Sequence, residues 1–117
     1  MMQSACIKRS NVAVASFNGT TVNLHIGQAT HFLIFGPGRN GCIHLLDTRT
    51  APEKGGGETR WEALADVLND CLAILTSGAG SKPIKILEDR GIDVFITEGS
   101  IKRPVEIILD RKMQEYG

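Results

Sequence analysis

The stretch Leu72-Ala73-Ile74-Leu75-Thr76-Ser77-Gly78-Ala79-Gly80-Ser81 joins an uncharged apolar run to a glycine-containing loop and a residue that can cap a helix. The run 72–76 has the length of a short buried strand, and the loop 77–80 has the residue types of tight turns. Ser81 can cap the next helix, with Pro83 in its first turn. A strand that leads directly into a helix predicts an α/β fold.

The residues after Ser81 continue this alternation of helices and strands. Gly91 is placed to end the helix as a C′ glycine, and residues 92–96 form the next strand candidate. The segment from Ser100 to about Met113 predicts a last helix, provided that Pro104 falls in its first turn.

One more helix is predicted before the central stretch. Thr59 and Glu62 have the spacing of a capping box. Apolar residues follow at helical spacing and give one stripe: Trp61, Leu64, Ala65, Leu68 and Cys71. Residues 50–58, with three consecutive glycines, are predicted to be a flexible connection to this helix.

The first part of the chain predicts three strands. The run 11–16 alternates valine and alanine without a charge, as a strand covered on both faces would. Residues 32–35 and the run from Cys42 to about Arg49 are the other two, joined by turn-forming residues at 36–41.

The resulting order is β-β-β-α-β-α-β-α. It predicts a single α/β domain with a mixed five-stranded sheet and three helices, antiparallel at one side and parallel where helices cross over. Two packed layers and a three-layer sandwich both fit this order. Residues 1–10 show no periodicity and are expected to be a flexible leader to a domain spanning 11–117.

The composition excludes several classes of function. Thirteen Lys and Arg balance 13 Asp and Glu, so no basic field favours nucleic acid or anionic lipid. The N-terminus lacks the apolar core of a signal peptide, and no run approaches the roughly 18 apolar residues of a membrane span. Three cysteines without C-x-x-C spacing indicate reduced thiols. We expect a cytoplasmic protein without a membrane segment.

The loop Asn23-Leu24-His25-Ile26-Gly27-Gln28-Ala29-Thr30-His31-Phe32 places two histidines between apolar runs. His25 is a candidate metal ligand, because a neutral imidazole suits iron and other borderline metals. His31 could approach the same site if the loop folds back, and Gly27 would let the backbone come close to a bulky ligand. The alternative is that both histidines are surface or hydrogen-bonded residues without a ligand.

Two other segments could contribute to a site. Cys42 could offer a thiolate to an iron-sulfur cluster if it lies at the open end of its strand, although a hairpin cysteine usually packs as a small apolar residue. The loop with Ser77, Gly78 and Gly80 offers backbone N–H groups at a helix N-terminus, where anions bind, but it lacks both glycine-rich nucleotide motifs. A tight crossover turn is the alternative for this loop.

Catalytic motifs are absent from the sequence. There is no G-x-S-x-G elbow and no H-E-x-x-H helix, and the first strand contains no acid that could hold the metal ions of a two-metal nuclease. The sequence therefore predicts a protein that is not an enzyme.

Several of these segments together resemble the dinitrogenase iron-molybdenum cofactor biosynthesis family, which includes the NifX and NafY carriers and the C-terminal domain of NifB. The resemblance rests on short segments in the same order: Val12-Ala13-Val14-Ala15-Ser16, Val22-Asn23-Leu24-His25-Ile26-Gly27, Phe32-Leu33-Ile34-Phe35, Leu64-Ala65, Asp70-Cys71, Thr76-Ser77-Gly78-Ala79-Gly80, Gly91-Ile92 and Glu98-Gly99. It implies a ribonuclease H-like topology without the nuclease carboxylates.

The resemblance also implies a function. This function is to carry an iron-sulfur or iron-molybdenum cofactor, or its precursor, without catalysing a reaction, in a process linked to nitrogen fixation. His25 and Gly27 occupy the histidine and glycine positions of the family's His-Phe-Gly motif, and Ile26 replaces the phenylalanine. The expected partners are proteins that donate or accept the metallocluster, and the carrier would be a monomer or a weak homodimer.

A second hypothesis stays open from the residues themselves. In it the same sheet end binds a small anion, a nucleotide or a partner protein in a regulatory role.

Overall fold

The structure is a computed structural model that describes residues 10–16, 18–37, 43–52 and 57–116, with the side chains of the last helix described up to Leu109. Its strands are β1 (Asn11–Val14), β2 (Thr21–Val22), β3 (His31–Pro37), β4 (Ile43–Thr50), β5 (Cys71–Thr76), β6 (Asp93–Ile96) and β7 (Gly99–Ser100). Its helices are α1 (Glu58–Val67), α2 (Ser81–Asp89) and α3 (Lys102–Tyr116).

The five longer strands form one mixed sheet in the order β4-β3-β1-β5-β6. Strand β3 is antiparallel to both β1 and β4, whereas β5 is parallel to both β1 and β6. The predicted fold class, a single domain with a mixed five-stranded sheet and three helices, is confirmed. The finer ribonuclease H-like topology stays a prediction.

Apolar residues of β1 alternate between two hydrophobic clusters on opposite faces of the sheet. Ala13 belongs to a cluster with Leu64 of α1 and Leu87 of α2, whereas Val14 belongs to a cluster with Val105 of α3. Two helices therefore cover one face and one helix covers the other, which is the three-layer alternative. Each fully buried aliphatic side chain of this kind contributes about 1.5–3 kcal/mol by leaving water.

The predicted helix starts are wrong in detail. The N-cap of α1 is Gly57, with φ 59°, and no side chain caps the helix, so Thr59 and Glu62 do not form the expected capping box. The N-cap of α2 is Gly80 rather than Ser81, again without a side-chain hydrogen bond.

The predicted ends of the helices are partly confirmed. Gly91 has φ 88°, a left-handed conformation that glycine adopts without strain, as expected at C′. Pro104 lies in the first turn of α3. Cys71 is buried as predicted, but it begins β5 instead of ending the stripe of α1. Helix α1 ends earlier, at Val67, because a turn over residues 68–70 redirects the chain into β5.

Strands β2 and β7 were not predicted. They pair antiparallel, Thr21 with Ser100 and Val22 with Gly99, and the N–H of Ile101 donates to the carbonyl of Thr20 at 3.1 Å. A strand of two residues is too short to show the alternation of apolar and polar residues that identifies longer strands. The pair ties the segment after β1 to the start of α3.

The amino ends of β1 and β5 are held by a charged cluster. Arg49 donates from Nη1 to Oδ1 of Asp70 at 2.6 Å and from Nη2 to Oδ2 at 2.9 Å, and the amide of Asn11 donates to Oδ2 at 2.9 Å. Arg49 Nη1 also donates to the carbonyl of Val67 at the end of α1. The guanidinium of Arg49 lowers the pKa of Asp70 to about 2, although partial burial acts in the opposite direction. The cluster joins β1, β4, α1 and β5.

Candidate functional site

The two predicted site loops lie side by side at the carboxyl ends of β1 and β5. His25 forms an isolated parallel bridge with Gly78, so the segment that follows β2 runs beside the chain that continues from β5. The N–H of Ile26 donates to the carbonyl of Gly78, and the N–H of Ser77 donates to the carbonyl of Leu24, both at 2.9 Å. In open α/β sheets, ligands bind outside the carboxyl ends of the strands.

A buried threonine holds the two loops together. Thr76 is fully buried, and its hydroxyl donates to the carbonyl of Leu24 at 2.7 Å, with the carbonyl of Gly78 as a second acceptor at 3.0 Å. Sequence reasoning placed Thr76 only at the end of a strand. A polar residue closing an otherwise apolar run was the available signal, because a buried hydroxyl requires a hydrogen-bond partner.

The imidazole of His25 is exposed but fixed by its neighbours. The N–H of Gly27 donates to Nδ1 of His25 at 3.0 Å. Among the residues that the structure describes, no group bonds to Nε2. One nitrogen of the ring is therefore held by the loop, and the other is available to a ligand.

The ring of His25 lies directly against Gly78. A Cβ atom added at Gly78 would come within 2.9 Å of Cδ2 of His25, closer than real Cβ contacts. At Gly80 an added Cβ would meet only Pro83, at an ordinary distance of 3.6 Å. Gly78 is thus required by the position of the histidine ring, whereas Gly80 is not.

Arg60 approaches the His25 loop from the first turn of α1. Its Nη2 donates to the carbonyl of Gly27 at 2.8 Å, and its Cζ lies 4.4 Å from the ring centroid of Trp61. Sequence reasoning missed Arg60. The sequence placed Arg60 near the start of a predicted helix, but it could not show which loop this first turn contacts, because that contact depends on tertiary packing.

The remaining predicted site residues are more dispersed. His31 is exposed at the start of β3, on the same sheet edge, and its Nδ1 lies 3.1 Å from Oγ1 of Thr30 rather than against His25. Asn23 is an exposed residue of the His25 loop. Cys42 lies outside the described residues, so its predicted role as an auxiliary ligand stays a prediction.

The described ranges contain no group of three or more His, Cys, Asp or Glu side chains that could hold a metal ion together. His25 is then the single candidate ligand that the geometry presents between the two loops. Within the same ranges, no helix has the length and apolar character needed to cross a membrane.

Comparison with known proteins gives the family. The family model described as dinitrogenase iron-molybdenum cofactor matches residues 8–113, which is most of the chain. The chain belongs to the dinitrogenase iron-molybdenum cofactor family. The resemblance seen in the sequence is thereby confirmed.

Two proteins similar to this chain are named FeMo cofactor biosynthesis protein NifB. The one from Chlorobaculum tepidum is 44% identical over 99 residues, covering 83% of this chain and 23% of the relative. The one from Frankia alni is 31% identical over 115 residues, covering 91% of this chain and 20% of the relative. The chain spans about a fifth to a quarter of the length of these two proteins.

Two solved structures share the fold. The crystal structure of PH0822 has a TM-score of 0.65 at 18% identity, covering 86% of this chain and 91% of that one. The NMR structure of TM1290 from Thermotoga, of the DUF35 family, has a TM-score of 0.54 at 17% identity, covering 86% and 88%. At these identities the likeness shows the fold alone.

Proposed function

We propose that this protein is a non-catalytic carrier in metallocluster assembly, which binds an iron-molybdenum cofactor or an iron-sulfur precursor and passes it on. The observation that carries the proposal is the exposed His25 ring, fixed by Gly27 and Gly78 at the carboxyl ends of the parallel strands. Membership of the cofactor family and the name of the NifB relatives support this type of cargo.

The polar groups around His25 suit an anionic cargo. Arg60 contributes a positive charge next to the loop, through its bond to Gly27. Helix α2 begins at Ser81, after the N-cap Gly80 and without a side-chain cap, so its first N–H groups are available to an anion. Together these groups would offset the negative charge of a cluster held at His25.

The small number of ligands is consistent with release. A closed cage of four protein ligands would hold a metal site permanently. A single histidine, assisted by His31, would hold a cluster more weakly, whether it coordinates the metal or donates a hydrogen bond to the cluster, and would allow its transfer to an acceptor protein. Asn23 and Ser77 would line the cargo site from the two loops.

The test is an anaerobic titration of the apo protein with isolated iron-molybdenum cofactor and, separately, with a [4Fe-4S] precursor. Gel filtration and visible absorption would follow co-elution of iron and colour with the protein. We expect His25→Ala to weaken binding at least about tenfold, or about 1.4 kcal/mol. His44→Ala is the matched control, because His44 is an equally exposed histidine on β4, away from the two loops, and should not change binding.

Equal binding by the wild-type protein and His25→Ala would refute the assignment of His25. If neither cluster co-elutes with any of the three proteins, the carrier function fails. The second hypothesis then takes its place, since the uncapped N-terminus of α2 also suits a small anion or a nucleotide phosphate. That binding would depend on the 77–81 loop and be indifferent to His25.

A further inference from the structure

The hydrogen bond between Gly27 and His25 determines which ring nitrogen carries the proton. A backbone N–H can only donate, so Nδ1 of His25, 3.0 Å away, must accept. A neutral imidazole has one protonated nitrogen and one acceptor nitrogen. The neutral ring in this conformation therefore carries its proton on Nε2, the nitrogen that no described residue contacts.

Arg60 holds the same residue through the following peptide, which begins with the carbonyl of Gly27. The carbonyl of Gly27 accepts from Nη2 of Arg60 at 2.8 Å, while the N–H of the same residue donates to the ring. Stacking of the guanidinium on Trp61, at 4.4 Å from the ring centroid, limits the rotation of Arg60. Arg60, Gly27 and His25 thus form one connected chain from α1 to the site.

Arg60 also retains hydrogen-bonding capacity. A guanidinium has five N–H donors, and the bond to Gly27 uses one of them. Among the described residues no carboxylate pairs with Arg60, in contrast to Arg49 and Arg90, whose guanidinium groups are paired with acids. A positive charge with unused donors, bonded to the loop that carries His25, favours an anion.

We infer that Arg60 is a positioning residue of the site: its bond to the carbonyl of Gly27 fixes this residue, so that the N–H of Gly27 stays on Nδ1 and His25 meets its cargo through an Nε2–H donor. The cargo is then an anionic cluster held by hydrogen bonds and charge while Gly27 keeps this position. Coordination of a metal by Nε2 would require the proton to leave that nitrogen, and its transfer to Nδ1 would break the bond to Gly27. The identity of the cargo rests on the proposed carrier function, but the state of the ring does not.

The ring is tested in the apo protein. Long-range ¹H–¹⁵N correlation spectra of histidine-labelled protein, at a pH where the ring is neutral, distinguish the two tautomers. We expect His25 to be in the Nε2–H form, and Arg60→Met to reduce this preference. Arg90→Met is the matched control, because Arg90 is an arginine at the C-cap of α2 that bonds to Glu62 and Asp66 on α1. An Nδ1–H ring in the wild-type protein, or unchanged spectra in Arg60→Met, would overturn the inference.

The second measurement uses the isolated iron-molybdenum cofactor. Arg60→Met should weaken its binding about tenfold and Arg60→Lys less, because lysine keeps the positive charge and N–H donors. Arg90→Met should stay within about twofold of the wild type. His25→Gln, which keeps an N–H donor, should bind better than His25→Leu. Equal losses of affinity in His25→Gln and His25→Leu, together with hyperfine coupling from an imidazole nitrogen bound to the cluster in the wild-type protein, would show that His25 coordinates the metal. That result would overturn the donor role.

The two proposals fail differently. If the cofactor binds no variant but the tautomer depends on Arg60, the carrier function is wrong and the positioning role stands. If the cofactor binds through His25 but Arg60→Met has no effect on ring or affinity, the positioning role is wrong and the carrier function stands.

Discussion

The two ends of the parallel strands β1 and β5 use their polar groups in opposite ways. At the amino ends, Arg49 and Asn11 both donate to the carboxylate of Asp70, and the arginine also bonds to the end of α1. At the carboxyl ends, His25 and Arg60 each bond to Gly27, and each keeps a nitrogen that no described residue bonds to. The first arrangement stabilises the fold, and the second leaves binding capacity for a ligand.

The largest effect should come from breaking the amino-end cluster. Asp70→Ala should lower the free energy of unfolding by about 2–3 kcal/mol, because the partly buried Arg49 would lose its bidentate partner. Urea denaturation measures this change. Asp89→Ala, which alters an exposed acid at the end of α2, should cost less than about 0.5 kcal/mol. Equal losses in the two variants would show that the cluster does not hold the fold.

Substitutions at the carboxyl ends of the strands should change the affinity for the cofactor more than the free energy of unfolding. Gly78→Ala should weaken binding of the iron-molybdenum cofactor at least about tenfold, about 1.4 kcal/mol, because the new Cβ would displace the His25 ring. Gly80→Ala is the comparison within the same loop, because alanine keeps the backbone N–H groups at the start of α2 and its Cβ meets only Pro83, at an ordinary distance. The affinity is measured by the same anaerobic titration. A similar loss in both variants would argue against a requirement for the ring position.

Low pH should remove the stabilisation that the charged cluster gives to the amino ends of β1 and β5. The pKa of Asp70 is lowered to about 2 in the folded protein by Arg49, whereas an unperturbed aspartate has a pKa of about 3.9. The stabilisation is therefore present above about pH 4 and is lost as the pH falls toward 2. Because the side chain of Asp70 is 30% exposed, solvent screening reduces the effect to about 1–2 kcal/mol. Unfolding free energies between pH 4 and pH 2 should show this loss in the wild type and not in Asp70→Asn.

The smallest effect should come from the buried hydroxyl that joins the two loops. Thr76→Val removes the bond to the carbonyl of Leu24, but that carbonyl still accepts from the N–H of Ser77. We therefore expect the free energy of unfolding to fall by only about 1 kcal/mol. Hydrogen exchange of the Ile26 amide, which bonds to Gly78, should become faster in Thr76→Val and stay closer to the wild type in Thr76→Ser. Unchanged exchange in Thr76→Val would show that the hydroxyl does not hold the loops.

The fold was predictable where an apolar pattern extended over several residues. The run ending at Thr76 and the stripe through Leu64 identified β5 and α1, because each buries a continuous face. Cys71 was assigned to the wrong element because it fits both the helical spacing and the apolar run. Helix starts were also misplaced, since Gly57 and Gly80 offer no side chain that marks a cap.

The candidate site was predictable only as two loops at one edge of the sheet. Their approach followed from the parallel order of strands, and His25 and Gly78 were named from residue type. The contribution of Arg60 could not be predicted, because its contact with Gly27 depends on how α1 packs. Nor could the sequence show which nitrogen of His25 is occupied, since that depends on the conformation of the following peptide.

The bridge between His25 and Gly78 also has a consequence for the order of events during synthesis. The hydroxyl bond from Thr76 to Leu24 spans 52 residues of the chain, so the cargo site is a long-range contact. The chain must close this loop, at an entropic cost, before the contacts that stabilise the closed loop can form. A nascent chain that has exposed His25 at the ribosome lacks the other wall of the site until β5 has emerged and paired with β1. In the proposed carrier function, loading of cargo would therefore follow folding, and a donor protein would meet the folded, empty protein.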